Sequence, residues 1–430
     1  MPSRRHFFRQ AGLAASSLAV SPVLFAENIS QTRTQLKAWG STDDITQEEE
    51  FWHWIRQAYT VSGALINLNN GGVSPQPRTV QEAQNRYLAL ANETPTYYMW
   101  RILDQNREPV RERLAELAGC SAEEIAINRN ATEALDTVIF GLTLQKGDEI
   151  VLTKQDYPNM IQAWKQRELR DGIKLKWINL DLPQDNDDYF VQQFTAQFTA
   201  KTKVVHITHL INWTGQILPV KKIAAEARKR GIEVLVDSAH SFAHIDFKFS
   251  DFGADYMGTS LHKWLCAPFG TGMLYVQKEK IKNLYPLFPT AEPLSADIRK
   301  FELQGTRSFP AEMAIAQAID FHNLIGTQRK QARLHYLKNY WVEKCLAIPR
   351  FKIHTSLQPA YACALSNFSI EGIKPDDIAN RLYNDFRIHT VAIVWENISG
   401  VRVTPHVYTT LAELDKLVKA IGIIAQEKTR

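Results

Sequence analysis

The sequence predicts an α/β fold, with a large domain on a mainly parallel sheet and a smaller α/β domain after it. Three observations carry this reading. Short apolar strand runs recur every 25–35 residues through the middle of the chain. Segments of helical period lie between them, the pattern of βαβ units with both sheet faces covered. At 430 residues the chain is also too long for one compact core.

In order along the chain, residues 27–60 are polar, then amphipathic, and read as an N-terminal arm. A helix is predicted over 131–144 and a strand over 149–152 (EIVL) after the Gly147-Asp148 turn. A helix over 157–170 and a strand over 174–178 follow. Then come a strand at 203–207 (KVVHI), a helix over 223–230 and a strand at 233–236 (EVLV). Segments 255–258 and 272–276 (GMLYV) complete the set. Long helical patterns run from Pro310 to about Ala347, and a small α/β unit fills 350–430. The division is 1–26, 27–60, 61–310 and 311–430. In such sheets ligands sit at the carboxyl ends of strands, so residues just after each strand deserve inspection.

Composition narrows the classes. Hydrophobic residues make up 45% and charged residues 22%, which excludes a disordered chain or one with many membrane spans. The formal charge of +4 is no nucleic-acid footprint. Arg4, Arg5 and Arg9 stand in residues 1–26 with no acidic residue, and removing them leaves +1. An uncharged run of small and apolar residues follows Arg9, as in an export signal. The stretch Ser3-Arg4-Arg5-His6-Phe7-Phe8-Arg9 resembles the twin-arginine pattern. That implies the twin-arginine export machinery as partner, folding before export, a periplasmic location and no membrane in the mature form. The four cysteines, Cys120, Cys266, Cys345 and Cys363, are too widely spaced for a CxxC pair or a disulfide framework. Export of a folded protein points to a cofactor loaded beforehand.

The chemistry concentrates after EVLV. Asp237-Ser238-Ala239-His240 stands at that strand's end, and Ser260-Leu261-His262-Lys263-Trp264 follows, with Lys263 26 residues beyond Asp237. A pyridoxal 5'-phosphate site needs this pair: a lysine for the Schiff base, and a carboxylate that keeps the pyridine nitrogen protonated. Each piece alone is weak, since most strand-end aspartates are caps and most lysines are solvated. Order and spacing together favour the functional reading. There is no GxSxG, HExxH, Walker A or GxGxxG pattern, and no metal site is expected.

Here the chain resembles the class V aminotransferases of fold type I, and within them the isopenicillin N epimerase-like branch. Eight motifs in the family's order carry the resemblance: LNNGGVSPQPR (68–78), RNATEAL (129–135), DYPNM (156–160), HLINWTGQILPV (209–220), VDSAH (236–240), TSLHKW (259–264), FELQGT (301–306) and VRVTPHVY (401–408). It implies a large domain with a mainly parallel seven-stranded sheet and a smaller C-terminal domain.

The resemblance also implies roles. Ala131 and Thr132, opening a helix, would hold the phosphate with Ser260 and His262. Tyr157 would stack over the pyridine ring, and Asn212 and His240 would reach the cofactor's 3-oxygen or the substrate. Gly305-Thr306 would complete the phosphate site of a partner subunit, which makes a homodimer with shared active sites. Arg402 would grip the substrate α-carboxylate. Asn70, Tyr97, Tyr98 and Arg101 would line the substrate side.

The implied activity is of the aminotransferase or epimerase type, on the α-amino carbon of an amino acid or peptide-like metabolite, in secondary-metabolite or siderophore maturation. The alternatives are a C–S or C–C lyase of desulfurase or kynureninase type, and a non-catalytic periplasmic binding protein on the same fold. Persulfide chemistry needs a loop cysteine, and residues 386–397 contain none; Cys363, in an apolar strand-like run, reads as an inert buried thiol.

Overall fold

In the computed structural model, the structure describes residues 45–426. The twin-arginine reading, at residues 1–26, lies outside them. Among the described residues no helix is long and apolar enough to cross a membrane. The strands are β1 (Ile66–Asn67), β2 (Ile125–Asn128), β3 (Glu149–Thr153), β4 (Lys174–Ile178), β5 (Thr202–Thr208), β6 (Glu233–Asp237), β7 (Tyr256–Ser260), β8 (Gly272–Val276), β9 (Phe351–Ile353), β10 (Ser366–Ile370), β11 (Ile388–His389), β12 (Val391–Trp395) and β13 (Ile398–Val403).

Seven of these form the large sheet, in the order β2-β8-β7-β6-β5-β3-β4. Only β8 runs against its neighbours, so the predicted mainly parallel sheet is what forms. Alternation along each strand divides the core. Val151, Val205, Ile207, Val234 and Val236 enter one cluster. Ile150, Leu152, Val204 and Leu235 face the other way, with Trp164 and the helices Ala131–Gly141 and Pro158–Asp171. Both faces are dry, which is why these strands read as apolar runs.

The smaller sheet, β12-β13-β10-β9, is antiparallel and packs on the helices Thr327–Cys345, Pro375–Phe386 and Leu411–Gln426 through Trp341, Phe368, Val401 and Leu417. The two sheets are stitched together by an early segment. β1 pairs in parallel with β11, Ile66 opposite Ile388, and Asn69 bridges Thr404. The loop after β1 is thus laid against the end of β13.

Some predicted elements need correction. β2 was not expected; its four residues are too short for a period to show. The first helix ends at Gly141, not 144, and the next begins at Pro158 with Tyr157 as its N-cap. Proline suits that first position because its missing N–H would have no partner there. Residues around Cys363 form turns and bends, not a strand, although the thiol is buried as expected.

One close approach sets the position of the helix Ala131–Gly141. A Cβ on Gly272 would lie 2.6 Å from Asn130 Cα. Asn130 caps that helix, its Oδ1 accepting from the Glu133 N–H at 2.9 Å. Gly272→Ala is expected to push the cap outward and to cost about 1–3 kcal/mol, as overpacking does. A urea titration showing wild-type stability would refute the close fit.

Candidate active site

Residues that the sequence singles out converge at the carboxyl ends of β3, β5, β6 and β7. Asp237 ends β6, is 4% exposed, and accepts the Ala239 N–H on Oδ1 at 2.9 Å. Burial lifts its carboxyl above the ordinary range, while the Ala239 N–H, His206 and Lys263 pull it back. The Lys263 Nζ donates to His240 Nε2 at 3.1 Å. Burial lowers Lys263 to about 8; Asp237 raises it and Arg402 lowers it further. Burial, then the Lys263 and Arg402 charges, keep His240 neutral. With Nε2 accepting, His240 carries its proton on Nδ1, a buried donor with no partner.

The lysine loop is clamped from behind. His244 Nδ1 donates to the His240 carbonyl at 2.7 Å, and its ring stacks on Trp264 at 3.6 Å. The buried Lys330 Nζ donates to the Trp264 carbonyl. On the other side, Ser260 Oγ accepts the Ala131 N–H at 2.9 Å, joining the lysine loop to the helix N-terminus. His262 is fixed by Nδ1, which donates to the Thr271 carbonyl at 3.0 Å. Its free Nε2 can donate to an anion only when the ring is protonated, and burial opposes that until the anion arrives.

Arg402 completes the cluster from the small domain. Its Nη1 donates to the Asn212 carbonyl and its Nη2 to Asn69 Oδ1, each at 2.9 Å. Its Nε and Asn212 Oδ1 are buried without partners. Among the described residues no carboxylate pairs with this guanidinium, though it is only 7% exposed. Burial pushes it down to about 10, so it remains charged at neutral pH.

These groups fit pyridoxal 5'-phosphate. A capped helix N-terminus with a serine hydroxyl suits its phosphate. A buried carboxylate stands beside a low-pKa lysine. His240, which bonds that lysine, and the linked Asn212 and Arg402 each present an orphaned donor or acceptor atom that a polar partner would satisfy. Tyr157, 39% exposed, stands where β3 gives way to its helix.

Not every expected residue joins. Asn70 is fully buried and serves the loop itself: Nδ2 donates to the Thr404 carbonyl at 2.9 Å, and Oδ1 accepts from the Tyr408 hydroxyl. Its neighbour Asn69 makes the Arg402 contact, and Asn69 Nδ2 donates to His389 Nε2 at 3.3 Å. A turn displaced the reading by one residue. A Cβ at Gly71 would be tight against Thr404 Oγ1, at 3.2 Å, and in ordinary contact with His240 Cε1, at 3.6 Å. Among the described residues, Tyr97, Tyr98, Arg101, Gly305 and Thr306 share no hydrogen bond, ion pair or ring contact with the Lys263 cluster.

With the geometry in place, comparison with known proteins is direct. Residues 66–417 match the family described as Aminotransferase class-V. The isopenicillin N epimerase of Streptomyces clavuligerus is 27% identical, over 87% of this chain and 99% of that protein. A protein of Synechocystis sp. named "Probable cysteine desulfurase" is 27% identical over 75% of this chain and 80% of its own length. The solved structure of a cysteine desulfurase from Thermococcus onnurineus NA1 shares the fold, with a TM-score of 0.77 at 22% identity over 86% of this chain and 97% of that one.

The electrostatics set a pH profile. The rate at which cofactor-free protein takes up pyridoxal 5'-phosphate, followed in the visible, is expected to rise with pH through about 8, where the Lys263 amine becomes free. Arg402→Met removes a repelling charge and should move the inflection up by roughly one unit; Asp237→Asn removes an attracting one and should move it down similarly. Inflections insensitive to both changes would show that these charges do not act on Lys263.

Proposed function

The chain belongs to the aminotransferase class-V family, and we propose that it is a lyase of that family, cleaving a Cβ–S bond in an amino acid held by its α-carboxylate. Like the family, it uses pyridoxal 5'-phosphate and acts on an amino-acid-like substrate through a Schiff-base lysine. When bound, the cofactor supplies an electron sink that makes the substrate's α-proton removable.

The chain's own residues do the rest. Lys263 is the Schiff-base lysine and, once displaced by the substrate amine, the base for the α-proton: with a pKa of about 8 it is partly free at neutral pH. His240 Nε2, 3.1 Å from Nζ, steadies the amine, and its unpartnered Nδ1–H would be a donor to the bound cofactor. Asp237 would hold the proton of the cofactor's ring nitrogen, Tyr157 would cover the ring, and Asn212 would supply a side-chain contact. Ala131, Thr132, Ser260 and His262 hold the phosphate. Arg402 binds the carboxylate. The observation that carries this assignment is its buried guanidinium without a counter-ion. Burial holds that guanidinium below its ordinary range, a desolvation cost that an arriving carboxylate can offset.

After proton loss, the electron pair of the Cα–H bond forms a Cα–Cβ double bond as the Cβ–S bond breaks, and sulfur leaves with its pair. Water then releases a 2-oxo acid and ammonia. This places the lyase ahead of the aminotransferase or epimerase type that the sequence suggests. The relatives named cysteine desulfurase support sulfur chemistry. A thiol relay through the protein is not supported: Cys266 is buried against His406 Nε2 at 3.4 Å, and Cys363 donates to the Gln331 carbonyl at 3.7 Å. Elimination needs no protein thiol. Epimerisation is the second reading, favoured by the relatives named isopenicillin N epimerase.

The exposed side chains Tyr97, Trp100 and Leu303 stand near Gly305-Thr306, a loop anchored where Arg307 meets Asp104 and Glu312 at 2.7 Å each. A second copy of the chain covering this face would bring Gly305 and Thr306 to its partner's phosphate, with Tyr97, Tyr98 and Arg101 on the substrate side. The Arg4-Arg5 motif supports export of the loaded protein to the periplasm.

Loaded protein should show a visible band, and borohydride should fix the cofactor on Lys263. Cystine or a related β-thio amino acid should then yield pyruvate and a sulfur product. Deuterium exchange at Cα without sulfur release would overturn the lyase in favour of epimerisation, and conversion to the pyridoxamine form would favour transamination. A fully active Lys263→Ala protein would sink all three.

A further inference from the structure

We propose that His206 is a positioning residue for Asp237, presenting an Nε2–H that orients the buried carboxylate and keeps it anionic. His206 lies on β5, where its neighbours Val204, Val205 and Ile207 are those of an ordinary buried strand. The register pairs Thr208 with Asp237 and His206 with Leu235, so His206 stands one step behind Asp237 on the same sheet face. It is 0% exposed. Trp164 Nε1 donates to His206 Nδ1 at 2.9 Å, which obliges the neutral ring to carry its proton on Nε2. Among the described residues that atom is buried and has no hydrogen-bond partner, and Asp237 is the charged group that acts on its ring.

Burial pushes His206 down to about 4, with Asp237 the one charged group that opposes it, so the ring is neutral at working pH. The charges and titratable groups acting on Asp237 come from three strand ends: His206 from β5, Lys263 after β7, and Asp156 after β3. Asp156 is itself tied to Thr153 and to Thr208, whose hydroxyl donates to Oδ1 at 2.8 Å. It therefore offers Asp237 repulsion and no donor. Asp237 Oδ1 already accepts the Ala239 N–H, and a second donor from behind would leave Oδ2 to face the site.

The inference rests on the reading of Asp237 as partner of the cofactor's ring nitrogen. His206→Leu removes the donor and keeps an apolar side chain. Its dissociation constant for pyridoxal 5'-phosphate, measured by quenching of protein fluorescence, should rise about tenfold, the value of one hydrogen bond to a charged group. The pH at which the visible band of the loaded protein converts should also rise, by about half a unit to one unit. The sign follows because Asp237, losing its donor, takes more of the shared proton, and less positive charge on the ring lets the lysine-linked nitrogen keep its proton longer. Trp164→Phe, which unlocks the tautomer, should move both quantities the same way by less.

His206→Gln places an amide N–H near the Nε2 position and should restore both to within about twofold and a few tenths of a unit, whereas His206→Asn, with its amide nearer Nδ1, should not. If His206→Leu fails to fold, the Gln and Asn pair decides. A folded His206→Leu or His206→Asn protein with wild-type affinity and wild-type conversion pH, whatever its Tm, would overturn the proposal. Asp237→Ala is the separate control: an unchanged affinity and band there would mean that the reading of Asp237 has failed instead.

Discussion

A buried guanidinium without a carboxylate governs this site. Arg402 is held by two neutral oxygens, Asn212 O and Asn69 Oδ1, at a depth where a lone cation is costly. Structural arginines elsewhere in the chain are treated differently. Arg111, equally buried, is matched by Glu302 and Glu108, and Arg333 by Glu49. Arg402 is held by neutral oxygens, as the buried Lys330 and Lys338 are; what sets it apart is an unpartnered Nε among the described residues and a charge that acts on Lys263. Neutral oxygens fix its orientation and leave its charge uncompensated, which suits a receptor for a carboxylate better than a structural tie.

That charge shapes its neighbours. Asp237, Lys263, His240 and Arg402 act on one another electrostatically, one carboxylate set against two cations. Arg402 and burial depress Lys263, Asp237 opposes them, and the balance leaves an amine that is free in part near neutrality. His240 cannot relieve the excess by taking a proton, since Lys263 and Arg402 both disfavour its charged form. An incoming phosphate and carboxylate would reverse the sign of the local imbalance. His262 is poised to respond, because its free Nε2 becomes a donor only once an anion makes the imidazolium favourable.

Much of this was legible in the sequence, for physical reasons. Asp237 and Lys263 follow strands directly, so a local reading placed them at the same sheet end, and β5 to β8 were visible because burial on both faces makes them continuous apolar runs. Asn69 was missed in favour of Asn70 because the turn after β1 decides which amide points inward, and turn geometry is not written in residue type. His206 was invisible for another reason: periodicity gives the face of a strand, but a tautomer set by a tryptophan 42 positions away is a tertiary fact. Gly305 and Thr306 were expected to serve a second copy's site, which one chain does not test, and Tyr97, Tyr98 and Arg101 were expected on the substrate side, where no contact with the Lys263 cluster is seen among the described residues.

The loop after β1 explains why two domains are needed. β1 pairs with β11 of the small domain, and two residues later Asn69 reaches Arg402 while Gly71 lies against His240 and Thr404. One short segment thus touches Arg402 and His240, the hydrogen-bond partner of Lys263. Thr404 approaches it from the other side: its N–H donates to Leu68 O at 2.7 Å, and its carbonyl accepts from Asn70 Nδ2 at 2.9 Å. A side chain at position 71 would have to fit between Thr404 and His240. The same short loop therefore carries the Asn69 contact to Arg402 of the small domain and lies, at Gly71, against His240 on the large sheet.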